Sequence, residues 1–161
     1  MILSVMGDMI RYFHNDVRRI NHALKVYDFA YLIAHESGVD EETGQVIQIT
    51  ALLHDIGIKE AERKYNSSAS TYQEQEGPAI AKEILAPYNL EGKLVDRVCY
   101  IIGNHHTYTK IDGIDFQILV EADFIVNIYE DSMKPEVIQS LKQKIFKTAF
   151  GTRLVGDLYS E

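Results

Sequence analysis

Tryptophan is absent from this chain of 161 residues, cysteine occurs once and proline three times. One cysteine, Cys99, permits no internal disulfide, which excludes a disulfide-stapled secreted scaffold and makes a reducing, cytoplasmic location the expectation. It sits in the apolar run from Val95 to Ile102 and reads as a buried structural thiol. Basic residues are also short: 16 Lys and Arg stand against 24 Asp and Glu, a formal net charge of −8. That balance argues against a polymeric nucleic acid as partner, and leaves room for a small phosphorylated ligand held by a few local cations. No stretch nears the roughly 20 apolar residues of a membrane span. The apolar start from Met1 to Met6 lacks a basic flank and is too short for a secretory signal, so no membrane partner is expected. Strand-like alternation, internal repeats and interdomain linkers are missing as well.

What is present is helical periodicity. A chain of this length suits one domain, since domains typically run to about 100–150 residues. Its 46% hydrophobic content supports a sizeable core. Val17, Ile20, Leu24, Tyr27, Tyr31 and Ala34 recur every three or four residues, with His22, Val26, Phe29 and Ile33 as a second stripe beside them. A helix apolar on two stripes is mostly buried. Asn15 or Asp16 serves to cap it, and Gly38 to end it. Asp40 opens a second helix whose inward residues are Val46, Ile49 and Leu53, with Glu41 and Glu42 favouring its first-turn dipole. Further helices are expected over about 72–86, 91–105, 116–129 and 135–150, with a last short helix after Gly151 and loops at 66–70 and 107–115. The expected architecture is all-α: a single domain over 1–161, with about five core helices in about 16–130 and a C-terminal helical extension over about 132–161.

The dipeptide His54-Asp55 ends the apolar run Ile47–Leu53, and Gly57 follows two residues on. A buried carboxylate without a partner is costly or neutralises, and a cation removes that cost. His22 and Asp123 both lie within apolar helical patterns. Two imidazoles and two carboxylates suit one divalent ion such as Mn, Fe, Co, Ni, Zn or Mg, and the carboxylates cancel its charge. Four protein ligands would leave water positions on a five- or six-coordinate ion.

The order His22, then Ala51-Leu52-Leu53-His54-Asp55-Ile56-Gly57, then Asp123 resembles the HD-domain superfamily of metal-dependent phosphohydrolases. The resemblance covers residues 16 to 130. It implies a helical bundle around a metal held by His22, His54, Asp55 and Asp123, and hydrolysis of a small phosphate ester, with a nucleotide as the leading choice. Asp55 would also orient or deprotonate the attacking water. Binuclear relatives carry a further histidine where Gln73 stands, and an amide is no substitute for an imidazole, which favours one metal over two.

Other residues are assigned supporting roles. Glu76, at a helix start, and His105, at a helix end, are expected to assist proton transfer. Lys59, His106 and Lys110 are expected to hold phosphate. A non-catalytic module that senses or binds a nucleotide through the same metal is the competing reading, and a diiron oxygenase would need more ligands than are counted. The oligomeric state, a homodimer included, is not fixed by the sequence.

Overall fold

Asp16 accepts a hydrogen bond from the Arg19 backbone N–H at 3.2 Å, and Asp40 accepts one from Thr43 at 2.8 Å. These two caps start the two helices that carry the first half of the site. The computed structural model describes residues 1–159, and among them every regular element is helical. They are α1 (Ile2–Phe13), α2 (Val17–Glu36), α3 (Glu41–Leu53), α4 (Ile58–Tyr65), α5 (Ser70–Leu85), α6 (Gly92–Ile102), α7 (Ile114–Glu130), α8 (Pro135–Lys144) and α9 (Ala149–Tyr159). Short 3-10 turns at Ala86–Tyr88 and Tyr108–Lys110 link α5 to α6 and α6 to α7. Pro87 accounts for the first of these, since proline cannot continue an α-helix. Gly38, with φ of 65°, closes α2 in the left-handed region that glycine enters freely.

The core is a slab of α2, α3 and α7, with α6 covering α3 and α5 lying between α6 and α4. Val26, Ala30 and Ile33 of α2 meet Ile47, Ile49, Leu52 and Leu53 of α3 and Leu119, Ala122 and Ile125 of α7, all essentially without solvent contact. Burial of such side chains contributes about 1.5–3 kcal/mol each. No helix is long and apolar enough to cross a membrane among the described residues.

Three elements depart from the sequence reading. The N-terminal apolar residues form α1, which inserts Val5, Met9 and Phe13 against α3 and α2. The charged segment after the His-Asp pair is α4, whose inward residues are only Ile58 and Ala61. The helix expected over about 135–150 ends early, at Lys144, and the last helix, α9, begins at Ala149 rather than after Gly151. The cause is Glu121 of α7, which is fully buried and accepts from the backbone N–H groups of Lys147 (2.7 Å) and Thr148 (2.9 Å) and from the Thr148 hydroxyl. Gln117 holds the Ile145 carbonyl at 2.7 Å beside it. A buried carboxylate must find donors, and here it takes them from the backbone of the α8–α9 connection.

Candidate metal centre

α3 stops at Leu53, and His54-Asp55-Ile56 forms a hydrogen-bonded turn before α4 begins at Ile58. The turn solves a geometric problem. Adjacent residues on a continuous helix point about 100° apart, whereas in the turn His54 Nε2 and Asp55 Oδ2 come within 3.5 Å. α2 and α7 pack against each other on one side of it. On α2, Arg18, His22 and Lys25 share a face at spacings of four and three. On α7, Asp123, Asn127 and Glu130 do the same.

These elements bring all four expected ligands together. His22 Nε2 is 3.2 Å from His54 Nε2 and 3.2 Å from Asp123 Oδ1. His54 Nε2 is 3.6 Å from Asp123 Oδ1, and Asp55 Oδ2 is 3.5 Å from the His22 nitrogen. The other ring nitrogen of each histidine is already committed. His54 Nδ1 faces the Ala51 carbonyl at 2.9 Å and His22 Nδ1 faces Glu130 Oε2 at 2.9 Å. Both therefore donate from Nδ1–H, which turns two Nε2 lone pairs and two carboxylate oxygens toward one point. Such a donor set calls for a cation, and mixed N/O ligands suit a divalent transition ion. Asn127 Nδ2 donates to Asp123 Oδ1 at 3.0 Å and holds the carboxylate in place.

A second group lies alongside. Asp55, His105 and His106 also place donor atoms close together. Asp55 Oδ1 is 3.4 Å from His105 Nε2, so the two oxygens of this one carboxylate face the two groups. His105 Nδ1 is fixed on the Ile102 carbonyl at 2.8 Å, while its Nε2 is buried with no hydrogen-bond partner among the described residues. His106 Nε2 is 3.1 Å from Gln73 Oε1, and Gln73 in turn donates to the Ser68 carbonyl. Where the sequence suggested donors for one ion, the fold assembles two neighbouring triplets that meet at Asp55.

The assisting residues are redistributed. Glu76 is tied by Lys64 (2.7 Å) and Tyr65 (2.9 Å), and the Lys64 ammonium pulls its carboxyl below the usual range. It stands outside the cavity that His22 and Asp55 line, so the expected proton-transfer role has no support from its placement. Lys59 donates to the Tyr12 carbonyl at 2.9 Å and lies over the Tyr12 ring. Lys110 is exposed in the second 3-10 turn. Neither lysine lines the cavity, because α4 and the 3-10 turn point these side chains elsewhere. The cavity, of about 390 Å³, is lined instead by Arg18, His22, Asp55, Ser68, Gln73 and Asn127, among others. Arg18 is exposed and makes no ion pair among the described residues, whereas Arg19 is shared by Asp16 and Glu62. Arg18, Asn127 and Glu130 were missed as site residues, although the four- and seven-residue spacing from His22 and Asp123 points to them.

Titration in the metal-free chain follows the same geometry. Burial alone would lower His22, but Asp123, Asp55 and Glu130 outweigh it and raise its pKa to about 9. The carboxyls of Asp55 and Asp123, in spite of burial, are held below the usual carboxylate range by the surrounding imidazoles. Burial, with His105 beside it, pushes His106 down to about 4, so that ring is neutral at pH 7. The sign for His22 is that of a raised base. Its contribution to metal-free stability is complete below about 6.5 and disappears as pH rises through about 9. Ligation needs the neutral ring, so uptake of an ion at pH 7 displaces a proton. Metal affinity is therefore expected to rise with pH from 6.5 to 9, by up to about tenfold per pH unit for the one proton that His22 releases, while the melting temperature of the chelated protein falls over the same window. Affinity flat across that window, in titrations with Mn or Zn, would refute a protonated His22.

The family model described as HD domain matches residues 19–149, which include every residue of both triplets. No curated protein matches the chain, and no solved structure does.

Proposed function

The chain belongs to the HD-domain family, and on that premise we propose that it is a metal-dependent phosphohydrolase acting on a small phosphate ester, with a nucleotide as the leading substrate. The observation that carries this reading is the convergence of His22 Nε2, His54 Nε2 and Asp123 Oδ1, with Asp55 completing the set, beside a cavity that His22 and Asp55 line. When bound there, a divalent ion supplies a water of lowered pKa and a polarised phosphoryl oxygen.

The chain's own residues do the rest. His22, His54, Asp55 and Asp123 hold the ion. Asp55 stays ionised, so its Oδ1, the oxygen turned away from His22 and His54, is an acceptor that would orient a water toward phosphorus. His105 lies behind the cavity with Nδ1 fixed on a backbone carbonyl and Nε2 3.4 Å from Asp55 Oδ1, so its part in proton transfer would run through that carboxylate. Arg18, one turn before His22 on the same face, takes the phosphate-anchoring part first given to Lys59 and Lys110.

The experiment is phosphate release from a panel of nucleotides and sugar phosphates, using chelated protein to which Mn, Co, Fe, Ni, Mg or Zn is restored singly. Metal-dependent release is the expected result and ranks the substrates. No release with any ion, in protein that binds the ion stoichiometrically, would turn the reading to a non-catalytic binding module, for which the diversion of Glu76 to Lys64 and Tyr65 already speaks. In the same assay Arg18→Ala is expected to raise KM about tenfold or more, the worth of a charge-assisted phosphate contact, with a smaller change in kcat. An unchanged KM would remove Arg18 from the phosphate site.

A further inference from the structure

Glu130, the last residue of α7, touches two groups of α2 at once. Its Oε2 accepts from His22 Nδ1–H at 2.9 Å, and its Oε1 accepts from the Lys25 ammonium. His54 and His105 give their Nδ1–H to neutral backbone carbonyls. His22 alone among the three is backed by a carboxylate. An imidazole that donates to a carboxylate is a stronger donor from its far nitrogen than one that donates to an amide carbonyl, and its ring is held in one tautomer. Lys25 draws on the same carboxylate and offsets part of its charge. Its side chain is about half exposed, against 17% for that of Glu130, so the ammonium reaches the carboxylate from the solvent side.

We propose that Glu130 is a positioning residue that sets how strongly His22 binds metal, and that Lys25 restrains it, so that this carboxylate and ammonium together tune the affinity of the centre. The proposal rests on the metal-binding reading of the cluster and is independent of whether the chain hydrolyses anything. A scaffold role and a tuning role predict different signs. If the Glu130–Lys25 pair merely clamps α7 onto α2, removing either partner loosens the site. If it tunes His22, the two substitutions act in opposite directions.

The test is the dissociation constant of Mn or Zn, measured by competition with a chromophoric chelator on the whole chain. Glu130→Gln keeps an oxygen acceptor of the same reach and removes the charge. Its dissociation constant is expected to rise about 10- to 100-fold, the usual effect of losing a partner behind a metal-binding histidine. Lys25→Met keeps the length and removes the ammonium. Its constant is expected to fall about two- to fivefold, the reach of a partly exposed ion pair. The double variant should match Glu130→Gln, since Lys25 acts only through the carboxylate. Equal weakening by both single variants, or wild-type affinity in Glu130→Gln, would overturn the proposal while leaving the metal site intact. Failure of the wild-type chain to take up any ion would overturn the metal reading itself. Should Glu130→Gln not fold, the sign of the Lys25→Met change decides alone.

Discussion

Asp55→Ala is expected to lower metal-dependent phosphate release by at least about a thousandfold while the helical fold persists. The size follows from two jobs resting on one side chain, since loss of a group that both orients a reactant and carries transition-state charge removes several kcal/mol at once. One oxygen of Asp55 faces His22 and His54 and the other faces His105, so truncation separates the two triplets as well as removing a ligand. The fold should survive because Asp55 lies in a turn at the cavity rather than in the packed slab. Circular dichroism checks the helices. Added metal should raise the melting temperature of the wild-type chain, by the roughly 2.7 kcal/mol that a hundredfold excess over the dissociation constant supplies, and should do so far less in the variant. Release in the variant within tenfold of wild type would take Asp55 out of the chemistry.

Gly57→Ala is expected to cost more than about 3 kcal/mol and to lower the melting temperature by roughly 10 °C, although alanine is ordinarily the mildest of substitutions. The backbone at Gly57 has φ of −74°, which any residue adopts, so conformational freedom is not the reason. The reason is contact. A Cβ there would lie 2.3 Å from the Gln73 carbonyl oxygen, 2.7 Å from the Gly77 nitrogen and 3.0 Å from the Gly77 Cα. Those are backbone atoms of α5 and cannot swing aside. Relief requires α5 to move as a unit, which draws Gln73 away from His106 and Ser68. Gly77→Ala makes a useful contrast, because its new methyl would press on a single side-chain atom, Ile102 Cγ2 at 2.7 Å, while the backbone of Gly57 lies no nearer than 3.8 Å. Thermal melts of the two variants should therefore differ by several degrees, and equal melting temperatures would refute the account.

The parts of this molecule that were legible in sequence are those whose cause is local. Asp16 and Asp40 announced their helices as capping residues do, and the stripes on α2 and α7 gave both the buried faces and the inward position of His22 and Asp123. His54-Asp55 stood out because polar chemistry interrupted an apolar run. The rest depended on contacts between distant segments. Gly57 reads in sequence as a turn residue, and only the passage of α5 shows why no larger residue fits. The break between α8 and α9 is dictated by Glu121, some 25 residues earlier, which sequence alone presents as one more acid in an amphipathic helix. Lys59 looked suitable by its nearness to His54-Asp55 and Glu76 by its place at a helix start, yet Tyr12 claims the first and Lys64 and Tyr65 the second. The unpartnered nitrogen of His105 could not be assigned from a His-His pair, since which ring turns inward depends on Ile102 and Gln73.

His22 and Glu130 meet across 108 positions of chain, and the metal ligands come from three helices or turns that are far apart in sequence. Closing a loop of that length is a late and entropically costly event in folding. The donors would therefore come together late, and an ion would grip only the finished bundle. Interactions absent from the folding transition state leave the folding rate alone and slow the reverse step. Metal supply would then act on the lifetime of the chain as much as on its chemistry. On the proposed metal reading, loaded copies would open rarely and resist proteases and starved copies would open often, so that abundance itself would follow the availability of the ion.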